Sequence, residues 1–548
     1  MTAPAPAAPV SAPTRGTPRC RWGRSVLFLG ATVFSAVLYG LCFPPPAWRP
    51  LAWVAQVPFL LALRRSGFRL ALFLAWVFTV TVAYTVGDWF PRAVANYYAQ
   101  PASIGVAFFF SVASIMAAPY VMAFAVVYRW LGRRGGAVLP LLAAAAWVGG
   151  EIGRVKLLTG NPWAVFGYSQ AGNTLLVQIA DLTGVYGVSF LLVAVNAALA
   201  EVCLSTREGS GGLRPVLLGL LLAGGTVAGA AAYGALRLGA AALTGTPGLP
   251  RQIAIVQGNL DLGAQWSSGF YGRNLDAYLR LTQAALRGSA AQLVFWPESA
   301  MTFFLEQEPA YRSAIAQVLG ASGAQLVAGG PRQWGEATYY NSTFLLSARG
   351  DILGRYDKEQ LLPFAEYFPL RRLDFLRRRF GRVREFSAGA PALPLPTVAG
   401  RAGILVCNEA MFPEPAAARV AAGAEYLVNP ANDSWLGDRK FSAQVFDIVS
   451  LRAVEQRRYL VRSSTCGPSA IVDPFGRVVV CTEPFTAAWI SGQIHPLQVR
   501  TVYSRIGDLF AVLCLVLVGV RALVLINSRG SAQWPVPADA SPPRQRCA

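Results

Sequence analysis

Gly403-Ile404-Leu405-Val406-Cys407-Asn408-Glu409 is an apolar run that delivers a cysteine into a polar corner. A run this short and this apolar reads as a buried strand. The stretch that follows, 410–422, carries Pro413 and Pro415 where the first turn of a helix tolerates proline. A thiol between a strand end and a helix start feels the positive end of the helix dipole, which favours the thiolate, the nucleophilic form. Cys407 is therefore the candidate nucleophile, set against the plainer reading of a small buried hydrophobe.

The texture around this run extends over 250–497. Short strands are expected at 253–256, 292–296, 325–328, 342–347, 402–406, 426–429, 460–464 and 470–473, and helices at 274–286, 308–321 and 444–456. Such alternation predicts a layered α/β sandwich with its functional groups at strand ends.

The flanking sequence is of another kind. The chain of 548 residues is 54% hydrophobic and only 14% charged, and its mean hydropathy is positive, as in a membrane protein. Residues 1–24 read as a disordered basic N-terminus, 25–240 as a membrane domain of seven helices, 504–528 as a last transmembrane helix and 529–548 as a disordered tail. Eight spans are expected, near 25–43, 51–63, 70–88, 102–128, 136–150, 175–200, 214–236 and 506–526, with the second and fifth short for a full crossing. Arginines crowd one set of loops (Arg64, Arg65, Arg69, Arg129, Arg133, Arg134, Arg207, Arg214). The positive-inside rule turns that set to the cytoplasm and the 250–497 domain away from it. The 151–170 loop, with Gly160-Asn161-Pro162-Trp163, reads equally as an interfacial belt or as a lipid-facing wall beside a site.

The net charge of +20 follows mostly from this topology, so no nucleic-acid partner is expected. The arginine-rich stretch 371–384 suits a membrane-surface arm meeting lipid phosphates. A single histidine, His495, sits before Pro496 as a linker residue, which excludes triads, Cys/His dyads and histidine-rich metal sites. None of the eight cysteines forms a CxxC pair, and at most one disulfide, such as Cys466 with Cys481, suits the 250–497 domain. Acid-base chemistry falls to carboxylates and lysines. Glu298 closes the buried run Leu293-Val294-Phe295-Trp296-Pro297, and Lys358 and Glu366 share one loop. A Glu/Lys/Cys set performs acyl transfer without histidine: the carboxylate takes the thiol proton, the thiolate attacks a carbonyl, and the ammonium holds the oxyanion.

Glu298, Lys358 and Cys407 stand in an order that resembles the carbon-nitrogen hydrolase (nitrilase) superfamily and, within it, the membrane-embedded apolipoprotein N-acyltransferases. Phe43-Pro44-Pro45, Gly160 to Gln170, Asp181 to Phe190, Val256 to Asn259 with Trp266, Trp296-Pro297-Glu298, the Lys358 to Glu366 loop and Asn432 to Trp435 carry the likeness. The resemblance implies a polytopic α-helical membrane domain plus an extracytoplasmic nitrilase-like αββα sandwich. It makes Glu298 the base, Lys358 the oxyanion stabiliser and Cys407 the nucleophile, with Glu366, Glu409, Asn408 and Trp266 in support. It also implies a monomer in the bacterial inner membrane, with no metal or other cofactor. That enzyme would move an acyl chain from phospholipid to the N-terminal diacylglyceryl-cysteine of an apolipoprotein. Three positions depart from the family pattern: Asn408 where an aromatic is usual, Val445 where a histidine is usual, and Cys466 in the 464–467 turn. Two alternatives stay open, a tethered amidase using water as acceptor and a non-catalytic scaffold, the latter favoured by Asn408 and Val445.

Overall fold

The computed structural model describes residues 18–132, 136–208, 213–239, 248–260, 268–369 and 385–530. Five helices are long and apolar enough to cross a membrane by length and composition: Trp22–Leu41, Phe68–Gly87, Ala102–Gly132, Val185–Thr206 and Leu213–Gly239. The expected count of eight is not reached by this measure, for local reasons. The 51–63 segment is a 3-10 turn, Arg49–Trp53, followed by a helix of nine residues, Val57–Arg65. At 1.5 Å per residue that helix covers less than half of the ~30 Å a bilayer core requires. The 136–150 segment becomes Leu139–Lys156, whose last turns carry Glu151, Arg154 and Lys156. The 175–200 segment opens with a 3-10 turn, Leu176–Ile179, and is broken at Gly184, whose φ of +64° suits glycine. The last helix, Leu509–Gly530, is apolar over Leu509–Leu525.

Burial ranks these helices. Val185–Thr206 is 67% buried and forms the centre of the bundle, whereas Leu213–Gly239 is 17% buried and presents leucines outward. An apolar face left open in this way matches a lipid environment.

The rest of the chain builds two six-stranded sheets. The first contains β1 (Arg251–Gln257), β2 (Leu293–Phe295), β3 (Gln325–Trp334), β4 (Thr338–Leu346) and β5 (Ile352–Asp357). The second contains β6 (Leu395–Thr397), β7 (Gly400–Ile404), β8 (Tyr426–Ala431), β9 (Leu460–Ser464), β10 (Ala470–Val472) and β11 (Val478–Cys481), and β12 (Ala488–Ile494) returns to pair with β1. Parallel pairing is confined to the centres, β1-β2-β3 and β7-β8-β9, and the outer neighbours are antiparallel.

Alternation along the strands sorts the side chains into layers. Ile253, Ile255, Leu293, Phe295 and Val327 face Ile404, Val406, Val428 and Val461 across the two sheets. Ala254, Val256 and Val294 point the other way, under the helices Ser268–Gly288 and Pro309–Gly320. The far face of the second sheet, with Leu405, Leu427 and Leu460, packs on the helices Pro413–Ala421 and Arg439–Gln456. Those two helices share one continuous core with the membrane helices, through Phe59, Phe78 and Trp147. The αββα sandwich is thus seated on the membrane bundle by its own outer helix layer.

Charged side chains pin this seam. Arg457 reaches Asp181 at 2.7 Å and Gln178 at 2.6 Å, Arg49 reaches Asp447 at 3.1 Å, and Lys440 reaches Asp88 at 2.9 Å. Cys466 and Cys481 are not joined to each other, so the disulfide considered for them does not form.

Candidate active site

β7 pairs in parallel with β8, and Gly403 lets them close up, since a Cβ there would meet Arg419 and Ala424 at 2.8 Å. Beyond β7 the chain turns through Val406 into a 3-10 turn, Cys407–Met411. Cys407 occupies the left-handed region, with φ +52°, and so do Ser299 beside Glu298 (+57°) and Phe364 in the Lys358–Glu366 strap (+64°). Three of the ten non-glycine residues with positive φ among the described residues thus stand at or beside the candidate catalytic side chains, where the surroundings over-determine the backbone. Asn429 fixes the turn by donating to the carbonyls of Leu405 at 2.6 Å and Cys407 at 3.1 Å. Arg462 donates to Asn429 in turn and pairs with Asp433 at 2.7 Å.

Glu298 follows β2, and Lys358 follows β5. Lys358 Nζ lies 2.7 Å from Glu366 Oε2 and 3.9 Å from Glu298 Oε1 and is only 1% exposed. Asn341 Nδ2 donates to both carboxylates, at 2.6 Å to Glu298 and 2.8 Å to Glu366. Glu298 Oε2 accepts the Asn432 N–H at 2.8 Å, and Glu366 Oε2 accepts the Leu362 N–H at 2.7 Å. Cys407 lies close enough to Glu298 for each to perturb the other's proton affinity. The structure therefore brings the buried Glu298, Lys358 and Glu366 together with the half-buried Cys407.

One ammonium faces two carboxylates here, and the proton affinities follow. Withdrawal from water raises Glu298 above the usual carboxylate value; Lys358 opposes this and Glu366 adds to it. Burial alone would lower Lys358, but Glu366 and Glu298 outweigh it and hold the ammonium firmly charged. Desolvation and the facing Glu298 charge push the Cys407 thiol well above its ordinary value, with Lys358 opposing. This corrects the expectation of a dipole-stabilised thiolate. The turn after Cys407 is a single 3-10 turn, the helix proper begins only at Pro413, and desolvation with the neighbouring carboxylate dominates. The resting group is a thiol beside a carboxylate of raised proton affinity, which suits proton transfer between them.

Glu409 plays a different part. It is fully buried, and its oxygens accept from Tyr356 Oη and the Glu359 N–H at 2.8 Å each, the Gln360 N–H at 3.0 Å and the Val406 N–H at 2.6 Å. It ties the Lys358 strap to the Cys407 turn. Arg419 braces the same joint, donating to Tyr356 at 2.9 Å and pairing with Glu359 at 2.5 Å. Asn408 Nδ2 donates to the Gln360 carbonyl at 3.3 Å. Val445 lies in the apolar core with Phe441 and Ile448. Trp266 and the 371–384 arm lie outside the described residues. Sequence reasoning missed Asn341, Tyr356, Arg419, Asn429 and Arg462, whose roles depend on strand pairing and carry no local motif.

Between the membrane helices opens an apolar cavity. Phe78, Val86, Trp89, Phe109, Phe124 and Trp163 form much of its wall, and Glu151, Arg154 and Asn161 supply polar groups. The Lys358–Glu366 strap meets the two helices that carry part of this wall, Phe90–Tyr98 and Ala102–Val112. Phe364 packs edge-on to Phe108 at 5.3 Å, Tyr98 donates to the Phe364 carbonyl, and Tyr97 donates to the Ala365 carbonyl at 3.4 Å. On the other side Phe412, just past the Cys407 turn, packs on Gly160. Trp89 and Trp163 lie against Phe441 at 4.8 and 5.7 Å. Trp163 is thus part of the wall of this cavity.

A two-sheet α/β sandwich with a Glu/Lys/Cys group between its strand ends is a carbon-nitrogen hydrolase domain, and residues 252–503 match the carbon-nitrogen hydrolase family. Residues 35–198 match the apolipoprotein N-acyltransferase N-terminal domain. An apolipoprotein N-acyltransferase of Geobacter metallireducens is 37% identical over 88% of this chain and 92% of its own length, and one of Azotobacter vinelandii is 31% identical over the same shares. The chain belongs to the apolipoprotein N-acyltransferase family, and it is an acyltransferase of the membrane. Among solved structures, an amidase of the nitrilase superfamily from Nesterenkonia AN1 covers 47% of this chain and 93% of its own, at 22% identity and a TM-score of 0.37. A carbon-nitrogen hydrolase from Helicobacter pylori G27 covers 45% and 89%, at 17% identity and a TM-score of 0.36.

Proposed function

We propose that the chain moves one acyl chain from a membrane phospholipid to the α-amine of the N-terminal diacylglyceryl-cysteine of apolipoproteins, through a thioester on Cys407. Glu298 takes the thiol proton as sulfur attacks the phospholipid ester. Lys358 Nζ holds the oxyanion, with the Asn408 backbone N–H beside it. The ester C–O bond breaks, Glu298 returns the proton to the leaving oxygen, and a lysophospholipid departs. The acceptor amine then attacks the thioester, its proton passes by way of Glu298 to sulfur, and the amide is released. Both half-reactions use one base and one oxyanion site, and no metal or soluble cofactor enters either step. The enzyme works as a monomer in the bacterial inner membrane with its sandwich on the periplasmic side. The arginine distribution of the loops supports that orientation.

The observation that carries this reading is a Glu298–Lys358–Glu366–Cys407 group in a chain that also holds an apolar cavity between its membrane helices. A soluble amide has no use for such a cavity, whereas an acyl chain fills it. The test supplies purified protein in micelles with phospholipid labelled in one acyl chain and a diacylated lipopeptide. Triacylated lipopeptide and lysophospholipid should form in equal amounts. Labelled free fatty acid as the main product would instead mark a hydrolase.

A further inference from the structure

Between Lys358 and Glu366 the chain makes a tight turn. The Phe364 N–H reaches the Tyr367 carbonyl at 2.8 Å, the Glu366 N–H reaches the Leu362 carbonyl at 2.9 Å, and Phe364 sits at φ +64°. A phenylalanine in the left-handed region is unfavourable by itself and persists only where its surroundings hold it. The sandwich supplies little of that hold. Among the described residues the carbonyls of Phe364 and Ala365 accept from no backbone N–H. They accept instead from Tyr98 Oη and, at 3.4 Å, from Tyr97 Oη.

Both hydroxyls stand at the end of the membrane-domain helix Phe90–Tyr98. That helix is packed tightly on the next one, because Gly105 leaves no room for a Cβ against the Pro91 carbonyl. Phe90 stacks on Phe108 at 5.9 Å, and Phe108 is the ring that meets Phe364 edge-on. Tyr97 is held further by Trp435, edge-on at 5.5 Å. A closely packed pair of membrane helices therefore grips the turn immediately before Glu366, and Glu366 is the nearer of the two carboxylates that face Lys358.

Resting on the acyl-transfer reading above, we infer that Tyr97 and Tyr98 are positioning residues, whose hydroxyls hold the 362–367 turn so that Glu366 keeps Lys358 in place for the oxyanion. The membrane domain in this way completes the active site of the sandwich. Without the two hydroxyls the turn relaxes, Glu366 draws back, and Lys358 moves toward its other carboxylate, Glu298, 3.9 Å away. Neither tyrosine gives or takes a proton in the reaction.

Loss of the hydroxyls also changes the pH dependence, with a definite sign. Glu366 raises the proton affinity of Glu298 and Lys358 lowers it. With Glu366 withdrawn and Lys358 closer, Glu298 stays a carboxylate to lower pH. The other charged groups nearby, Glu409 facing Lys358 and Asp433 facing Cys407, belong to the Cys407 turn and to the segment after β8, outside the gripped turn.

Tyr97→Phe, Tyr98→Phe and the double variant keep the rings and lose only the hydroxyls. Each is purified in micelles beside wild type, and thioester formation is followed by intact mass across pH and phospholipid concentration. The double variant should lose at least about fivefold in rate at saturating phospholipid, with its half-saturating concentration within about twofold of wild type. Its acid limb should move to lower pH, and each single variant should move rate and limb the same way by less. An unchanged rate, a change confined to the half-saturating concentration, or an acid limb that stays in place or moves to higher pH would each overturn the positioning role. A wild-type chain that forms no thioester would overturn the acyl-transfer reading itself, and this inference with it.

Discussion

At the thiol, one cation stands among carboxylates: Lys358 lies 2.7 Å from Glu366 and 3.9 Å from Glu298. At the seam with the membrane helices the ratio is inverted. There one carboxylate, Asp181, stands between Arg457 at 2.7 Å and Arg237 at 3.3 Å, with the Tyr233 hydroxyl at 2.8 Å. Both clusters bury charge, and both draw their members from distant parts of the chain. In the first, burial makes Glu298 bind a proton more readily than an ordinary glutamate, with Glu366 adding to this and Lys358 opposing it. The second surrounds its carboxylate with donors and adds Gln178 and the Pro474 carbonyl to hold Arg457 in one pose. An unbalanced buried cluster is poised to react, whereas a saturated one fixes position.

This contrast is open to attack from both sides. Cys407→Ala should abolish acyl transfer, a loss of at least about 10⁴-fold, while leaving the melting transition in detergent nearly unchanged. Arg457→Met should do the reverse. It leaves Asp181 short of its closest partner and is expected to destabilise the protein by about 3–5 kcal/mol, read by thermal denaturation. The protein that remains folded should keep its rate of thioester formation. A variant at Arg457 that melts normally but reacts slowly would erase the distinction between the clusters.

Lys358→Met should cost about 10²–10³-fold in the rate of thioester formation, because an oxyanion stabiliser acts mainly in the transition state. The smallest effect is one of pH. Proton transfer needs Glu298 as carboxylate, so the rate falls as pH drops through its raised pKa, above the usual carboxylate range. Asn341 donates to that carboxylate and so favours its charged form. Asn341→Leu should therefore move the acid limb of the rate profile to higher pH. A limb that stays in place would show that Glu298 is not the titrating group.

How far the sequence led is visible in the same residues. Glu298, Lys358 and Cys407 each stand at or just past the end of a strand, so the residues carry both a local pattern and the chemistry. All eight expected strands form. The four that were missed, β5, β6, β11 and β12, are short, proline-bearing or half-exposed, and none has a clean apolar period. Asn341 joins the site only because β4 pairs with β5, setting Ser342 opposite Asp357, one position from Lys358. Asn429 and Arg462 meet across β8 and β9. Contacts made by pairing cannot be read from spacing along one strand. In the membrane domain, hydropathy measured composition and not helix length, so the 3-10 turn before Val57–Arg65 was counted into a span.

The central claim is that Cys407 carries the acyl group. The direct test is the intact mass of the purified chain after incubation with a phospholipid of defined acyl chains, followed by peptide mapping. The account predicts one added acyl chain, located on Cys407, absent from Cys407→Ala and lost on addition of the diacylated lipopeptide. Acylated lipopeptide formed without any adduct on Cys407, or an adduct that persists in Cys407→Ala, would contradict it.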